Sequence, residues 1–129
     1  KLGLENLQVL DYQPYNQLPD VMASADVLLT TQTPDAGTFC VPSKVLSYLC
    51  AGRPQLMAIP LNNLAAKIVV ENSAGIAVPS DDVNGFIISS EKLLHDETLR
   101  NDYSKNARKY AEKTFSLANI TDQFEVLFR

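Results

Sequence analysis

The sequence predicts an α/β fold in which a parallel sheet carries helices on both faces. Three observations predict it. Short apolar runs of strand length, at 25–30, 55–59 and 75–78, alternate with stretches whose apolar residues recur at helical spacing. Two of these runs close on a proline, Pro60 and Pro79, as buried strands do before a connection. At 129 residues the chain suits one domain, which can bury roughly two-thirds of the surface its unfolded form exposes. Strands that alternate with helices need crossover connections, and these make the sheet parallel and cover both faces.

The elements follow in order. Residues 1–4 read as the end of a helix and 7–10 as a strand, an abrupt start of the kind a cut through a longer protein gives. Leu18, Val21 and Met22 stand at helical spacing within 16–24, and the strand at 25–30 follows. A helix is expected over 43–51 with Val45, Leu46, Leu49 and Cys50 on its apolar face. Gly52 is placed for the left-handed cap and Pro54 stops the helix. After the strand at 55–59, Asn62 or Asn63 can cap a helix reaching about residue 71. The strand at 75–78 precedes three helices, expected at 82–94, 97–113 and 117–128. About four strands result, fewer than the five or six usual in a doubly wound sheet.

Composition excludes several functions. Hydrophobic residues make up 46% and charged ones 20%, which is ordinary for a globular protein. A net charge of -4 and a pI near 4.8 leave no basic stripe for phosphate neutralisation, so no nucleic-acid partner is expected. No apolar run approaches the roughly 20 residues of a membrane span. Cys50 is expected to be a small buried hydrophobe, and both it and Cys40 to be reduced thiols in a cytoplasm.

The segment that can carry chemistry is the loop after the strand at 25–30. In open parallel sheets, ligands sit beyond the carboxyl ends of the strands, where loops lead into helix starts. This loop holds Gly37 for close backbone approach, with Thr33 and Thr38 as hydroxyl donors, and ends at Pro42, Ser43 and Lys44. Free amides, a helix dipole, a hydroxyl and an ammonium suit a phosphate or diphosphate. From these residues alone, an ordinary cap at Ser43 beside a solvated Lys44 is an equally open reading.

The stretch VPSKVLSYLCAGRPQL, 41–56, resembles the donor-gripping segment of GT-B glycosyltransferases of family 4, in the "PSK" variant found in bacterial polysaccharide enzymes. Further similarity runs through LEN at 4–6, LPDVMASADVLL at 18–29, ENSAGIAVP at 71–79 and NARKYAEKTFS at 106–116. The resemblance covers nearly the whole chain. It implies a Rossmann-like donor-binding domain, of which this chain would be the last two-thirds or so. A preceding acceptor-binding domain would meet a glycan or lipid-linked acceptor. It further implies retaining, metal-independent transfer from a UDP- or GDP-sugar, and a cytoplasmic location, free or at the inner face of the membrane. Lys44 would stabilise the leaving diphosphate, and Gly37, Thr38, Phe39, Val41, Ser43, Lys44 and Ser47 would line the donor site.

The sequence departs from the family where two glutamates with seven residues between them are common. Phe39 and Ser47 stand there. The second glutamate binds ribose hydroxyls in the family, and a serine hydroxyl does so less strongly, by about 1–2 kcal/mol. The resemblance therefore leaves two readings, a modified donor site or a nucleotide-binding domain without efficient transfer. The isolated chain is expected to be inactive and to self-associate through an open sheet edge.

The remaining polar residues read as structural. His95 ends a helix, Asp81 and Asp82 begin one, and Glu91, Lys92, Arg108, Lys109 and Glu112 read as a solvated face. Asn62 and Asn63 follow a strand end and could border the donor site. Leu117, Ile120, Phe124, Leu127 and Phe128 are candidates for packing on a preceding domain.

Overall fold

The fold was described from a computed structural model, in which residues 3–36 and 40–128 are described. Three parallel strands, β1 (Leu28–Thr31), β2 (Gln55–Ala58) and β3 (Gly75–Val78), lie in the order β1-β2-β3. The register pairs Thr30 with Met57 and Met57 with Ala77. The helices are α1 (Leu18–Ala23), α2 (Lys44–Cys50), α3 (Leu64–Glu71), α4 (Val83–His95), α5 (Glu97–Thr114) and α6 (Leu117–Leu127).

The expected α/β class is correct, with helices on both faces. Because side chains alternate along a strand, neighbouring residues of β2 serve opposite faces. Met57, with Ile59 just beyond the strand, joins Val45 and Leu49 of α2, Ala65, Ala66 and Val69 of α3, and Ala107 and Ala111 of α5 in one buried cluster. Leu56 faces the other way, toward Leu93 of α4. The small side chains at Ala107 and Ala111 let α5 lie close over α2.

Two expectations fail. Residues 7–10 join no strand, and Leu7, Val9 and Leu10 are exposed. Strand propensity acts only where a neighbouring strand supplies hydrogen-bond partners, and no described strand lies beside this segment. Three strands are therefore described where about four were expected. Cys50 is exposed rather than buried, as is Leu46. Only Val45 and Leu49 of the expected apolar face of α2 point into the core, because a seven-residue helix meets the sheet along one narrow stripe.

The helix ends explain the sharp returns. Gly52 has φ +63, its amide donates to the Leu49 carbonyl at 3.1 Å, and the Arg53 amide donates to the Tyr48 carbonyl at 3.4 Å. These two bonds close α2 in a Schellman motif. The end of α3 repeats the device with Ser73 in the glycine position: φ is 48, Ser73 N–H donates to Val70 at 3.0 Å and Ala74 N–H to Val69 at 2.9 Å. The Asn106 side chain of α5 donates to the Ser73 carbonyl at 3.1 Å and fixes that turn.

A left-handed conformation costs an L-residue with a Cβ roughly 1–2 kcal/mol. Ser73→Gly should therefore stabilise the chain by about 0.5–1 kcal/mol, less than the full relief because glycine loses more freedom on folding. Gly52→Ala should destabilise it by about 1–2 kcal/mol, since the added Cβ also meets Arg108 Cβ at 3.3 Å. Urea unfolding midpoints of the two variants check both signs.

Candidate functional site

All three strands end on the same side, and their exits bring three connections together there. After β1 come Gln32, a single 3-10 turn at Pro34–Ala36, and the approach to α2 through Cys40, Val41, Pro42 and Ser43. After β2 comes the turn to Asn63, and after β3 the turn to Asp82. Gly37, Thr38 and Phe39, three of the predicted donor-site residues, lie outside the described residues.

The remaining predicted residues stand at the start of α2 and along it. Val41, Ser43, Lys44 and Ser47 are all exposed. Ser43 occupies the cap position but makes no side-chain cap bond, so its hydroxyl is not consumed by the helix. The first turn is tightened by Val45 N–H to the Pro42 carbonyl and Leu46 N–H to the Ser43 carbonyl, both 3.1 Å. Lys44 makes no ion pair with the described residues, where Arg108 and Glu112 form the one close pair at 2.7 Å. An exposed ammonium beside an uncommitted hydroxyl can meet an anion without first breaking internal bonds. Ser47 sits one turn on, beside Leu46 and Cys50 in a groove of about 420 Å³ that Pro19, Met22 and Phe115 also line.

The approach to α2 is held by side-chain amides. Gln32 Nε2 donates to the Cys40 carbonyl at 2.9 Å, and Asn63 Nδ2 donates to the same carbonyl at 3.0 Å. Asn63 also caps α3, its Oδ1 accepting the Ala65 amide at 2.9 Å. Of the two asparagines expected as caps, Asn63 serves, and it is fully buried. Below, Gln55 reaches from β2 to the Val45 carbonyl at 3.3 Å. Burial pushes the Tyr48 phenol of α2 above its usual range.

The other end of α2 is tied down by two arginines. Arg108 Nη1 donates to the Cys50 carbonyl at 2.7 Å, and the Arg53 guanidinium donates to the Ala23 carbonyl at the end of α1. Arg108 was expected on a solvated face and is exposed there, and it makes this contact as well. Its helical neighbours gave no sign of the contact, since Cys50 lies 58 residues away. Gln32 was also missed, for nothing in its immediate sequence distinguishes it from a loop residue.

The residues read as structural are so placed. Asp82 caps α4 through the Gly85 amide at 2.8 Å, and His95 stands in its last turn. Among the described residues no group of three or more His, Cys, Asp or Glu is placed to hold a metal ion, and no helix is long and apolar enough to cross a membrane. Cys40 and Cys50 are free thiols.

Comparison with known proteins adds identity to this geometry. The chain is 27% identical over 124 residues to a protein of Escherichia coli (strain K12) whose name provisionally makes it a colanic acid biosynthesis glycosyl transferase, WcaI. The match takes in 95% of this chain and 29% of that protein's length. No solved structure matches the chain significantly. The sequence profile of the glycosyl transferases group 1 family matches residues 1–110, a span that includes all three strands, the loop after β1 and α2. With so much of its length matched, the chain belongs to the group 1 glycosyltransferases.

Proposed function

We propose that this chain is the nucleotide-sugar-binding part of a two-domain GT-B transferase of family 4, of the "PSK" type that builds bacterial polysaccharide. The observation that carries this reading is the family match across the loop after β1 and α2, where Lys44 and Ser43 stand exposed and uncommitted. The relative named for colanic acid biosynthesis supports a polysaccharide product. The acceptor, a glycan or a lipid-linked sugar, meets the enzyme through the preceding domain. The enzyme works in the cytoplasm, free or at the inner face of the membrane.

In the reaction, the bond between the anomeric carbon and the nucleoside diphosphate breaks, and the acceptor oxygen bonds to that carbon with retention of configuration as its proton leaves. Negative charge grows on the departing diphosphate. Lys44 supplies a cation where that charge develops, and Ser43 a hydrogen-bond donor beside it. Gly37, Thr38, Phe39 and Val41 line the donor, with a UDP- or GDP-sugar as substrate, and Ser47 faces its ribose. No metal takes part in this scheme.

Lys44→Ala in the full-length protein should lower kcat by about 10²–10³, with Lys44→Arg retaining part of the rate and a chelator changing nothing. The measurement is release of free nucleotide across a panel of UDP- and GDP-sugars with acceptor present. Unchanged turnover in the alanine variant removes Lys44 from the mechanism. Ser47, exposed and without a carboxylate, favours one second reading, a nucleotide-binding domain that does not transfer. Nucleotide binding with no release from any donor supports it.

The same reading places preceding strand and helix units of the longer polypeptide against β1. Among the described residues that strand is paired along one side, and Leu29 is exposed over a groove of about 480 Å³ shared with Leu56, Leu93 and Leu94. The isolated chain should cover this edge with a second copy. Size-exclusion elution should shift toward a dimer as concentration rises, and restoring the preceding units should abolish the shift. Elution as a monomer at every concentration counts against it.

A further inference from the structure

Buried side-chain amides are costly to leave unmatched, so where their bonds go is informative. Asn63 spends its oxygen on the α3 cap and sends its nitrogen 23 residues back along the chain, to the Cys40 carbonyl. Gln32 sends its own nitrogen to that carbonyl from the opposite direction. Its backbone amide donates to the Ala58 carbonyl at 2.9 Å, so Gln32 is itself pinned to β2. The two amides also approach each other, with Asn63 Nδ2 at 3.4 Å from Gln32 Oε1. One peptide plane of irregular backbone is thus gripped by a residue anchored on the sheet and another anchored on α3.

We propose that Asn63 and Gln32 are positioning residues for the ligand loop. By filling both lone pairs of the Cys40 carbonyl, they fix the Cys40–Val41 peptide plane and with it the path into Ser43 and Lys44. Diphosphate affinity then depends on two side chains that need not touch the ligand, because a preordered loop spares the ligand the entropy of ordering it. The inference rests on reading that loop as the donor site. Capping alone does not account for Asn63, since the cap uses only Oδ1.

The test uses the present chain, labelled with ¹⁵N, as wild type, Asn63→Ser and Gln32→Met. Serine keeps a capping oxygen but is too short to reach Cys40, and methionine keeps the length of Gln32 without its donor. Neither change adds charge near an anion. The amide of Val41 reports directly, since it shares the peptide plane of the Cys40 carbonyl. Its order parameter should fall from the rigid range near about 0.85 to below about 0.6 in both variants. Calorimetric titration of the full-length protein carrying the same substitutions with UDP and with GDP should show about tenfold weaker Kd for whichever nucleotide the full-length wild type binds, with thermal midpoints close to wild type. An unchanged order parameter in Gln32→Met, which replaces a half-buried residue and is the safer fold, overturns the proposal. So does unchanged affinity in a variant whose loop has loosened. If the full-length wild type binds neither nucleotide while Val41 loosens in the variants, the donor-site reading falls and the control of the loop path stands.

Discussion

The central strand β2 is bonded along both edges and covered on both faces, and the rest of the molecule is arranged by that enclosure. Leu28 donates to the Pro54 carbonyl just before it, and Gln55 N–H donates to Ala74 on the other side. Leu56, Met57 and Ile59 are almost wholly buried. Each contributes about 1.5–3 kcal/mol by leaving water. A strand enclosed in this way cannot shift register without moving Leu56 to the face that Met57 fills, so its neighbours inherit a fixed frame. The exits of β1 and β2 then emerge side by side, which is what allows Gln32 and Asn63 to meet over Cys40.

Packing on one face depends on α5 as much as on the sheet. Ala107 and Ala111 give α2 a smooth surface to rest on, and Arg108, between them on the same helix, reaches the carbonyl at the end of α2. The carboxy-terminal end of α2 is therefore held by its own Schellman bonds, by Arg108 and, one residue past Gly52, by Arg53 bound to α1. Its amino-terminal end depends on the amide grip at Cys40. A short helix with two differently held ends can present its first turn to solvent without fraying.

Much of this was legible in the sequence where a local rule and the tertiary structure agree. Gly52 before Pro54 marks a helix stop because few other arrangements use that pair, and the strand 75–78 is bounded by Gly75 and Pro79 as observed. The caps at Asn63 and Asp82 were readable for the same reason, an oxygen one residue ahead of a helical run. The failures share a different cause. Residues 7–10 look like a strand, but no described strand offers them hydrogen-bond partners. Cys50 looks buried by helical spacing, but α2 touches the sheet on one stripe only. Arg108 is on the solvated face as read, but its bond to Cys50, like that of Gln32 to Cys40, goes to a carbonyl distant in sequence, which no periodicity encodes. Of the candidate site, the positions of Ser43 and Lys44 followed from the strand–loop–helix order. The side chains that hold them in place did not.

The grip on the loop has an evolutionary side. Both amides hold a main-chain carbonyl, an atom every residue possesses, and the Cys40 side chain itself is exposed and takes no part in those bonds. A substitution at position 40 thus leaves the acceptor of both bonds in place, and with it the backbone route past that residue. Selection can alter the chemistry displayed along that stretch one residue at a time, with the scaffold beneath it already paid for by Gln32 and Asn63.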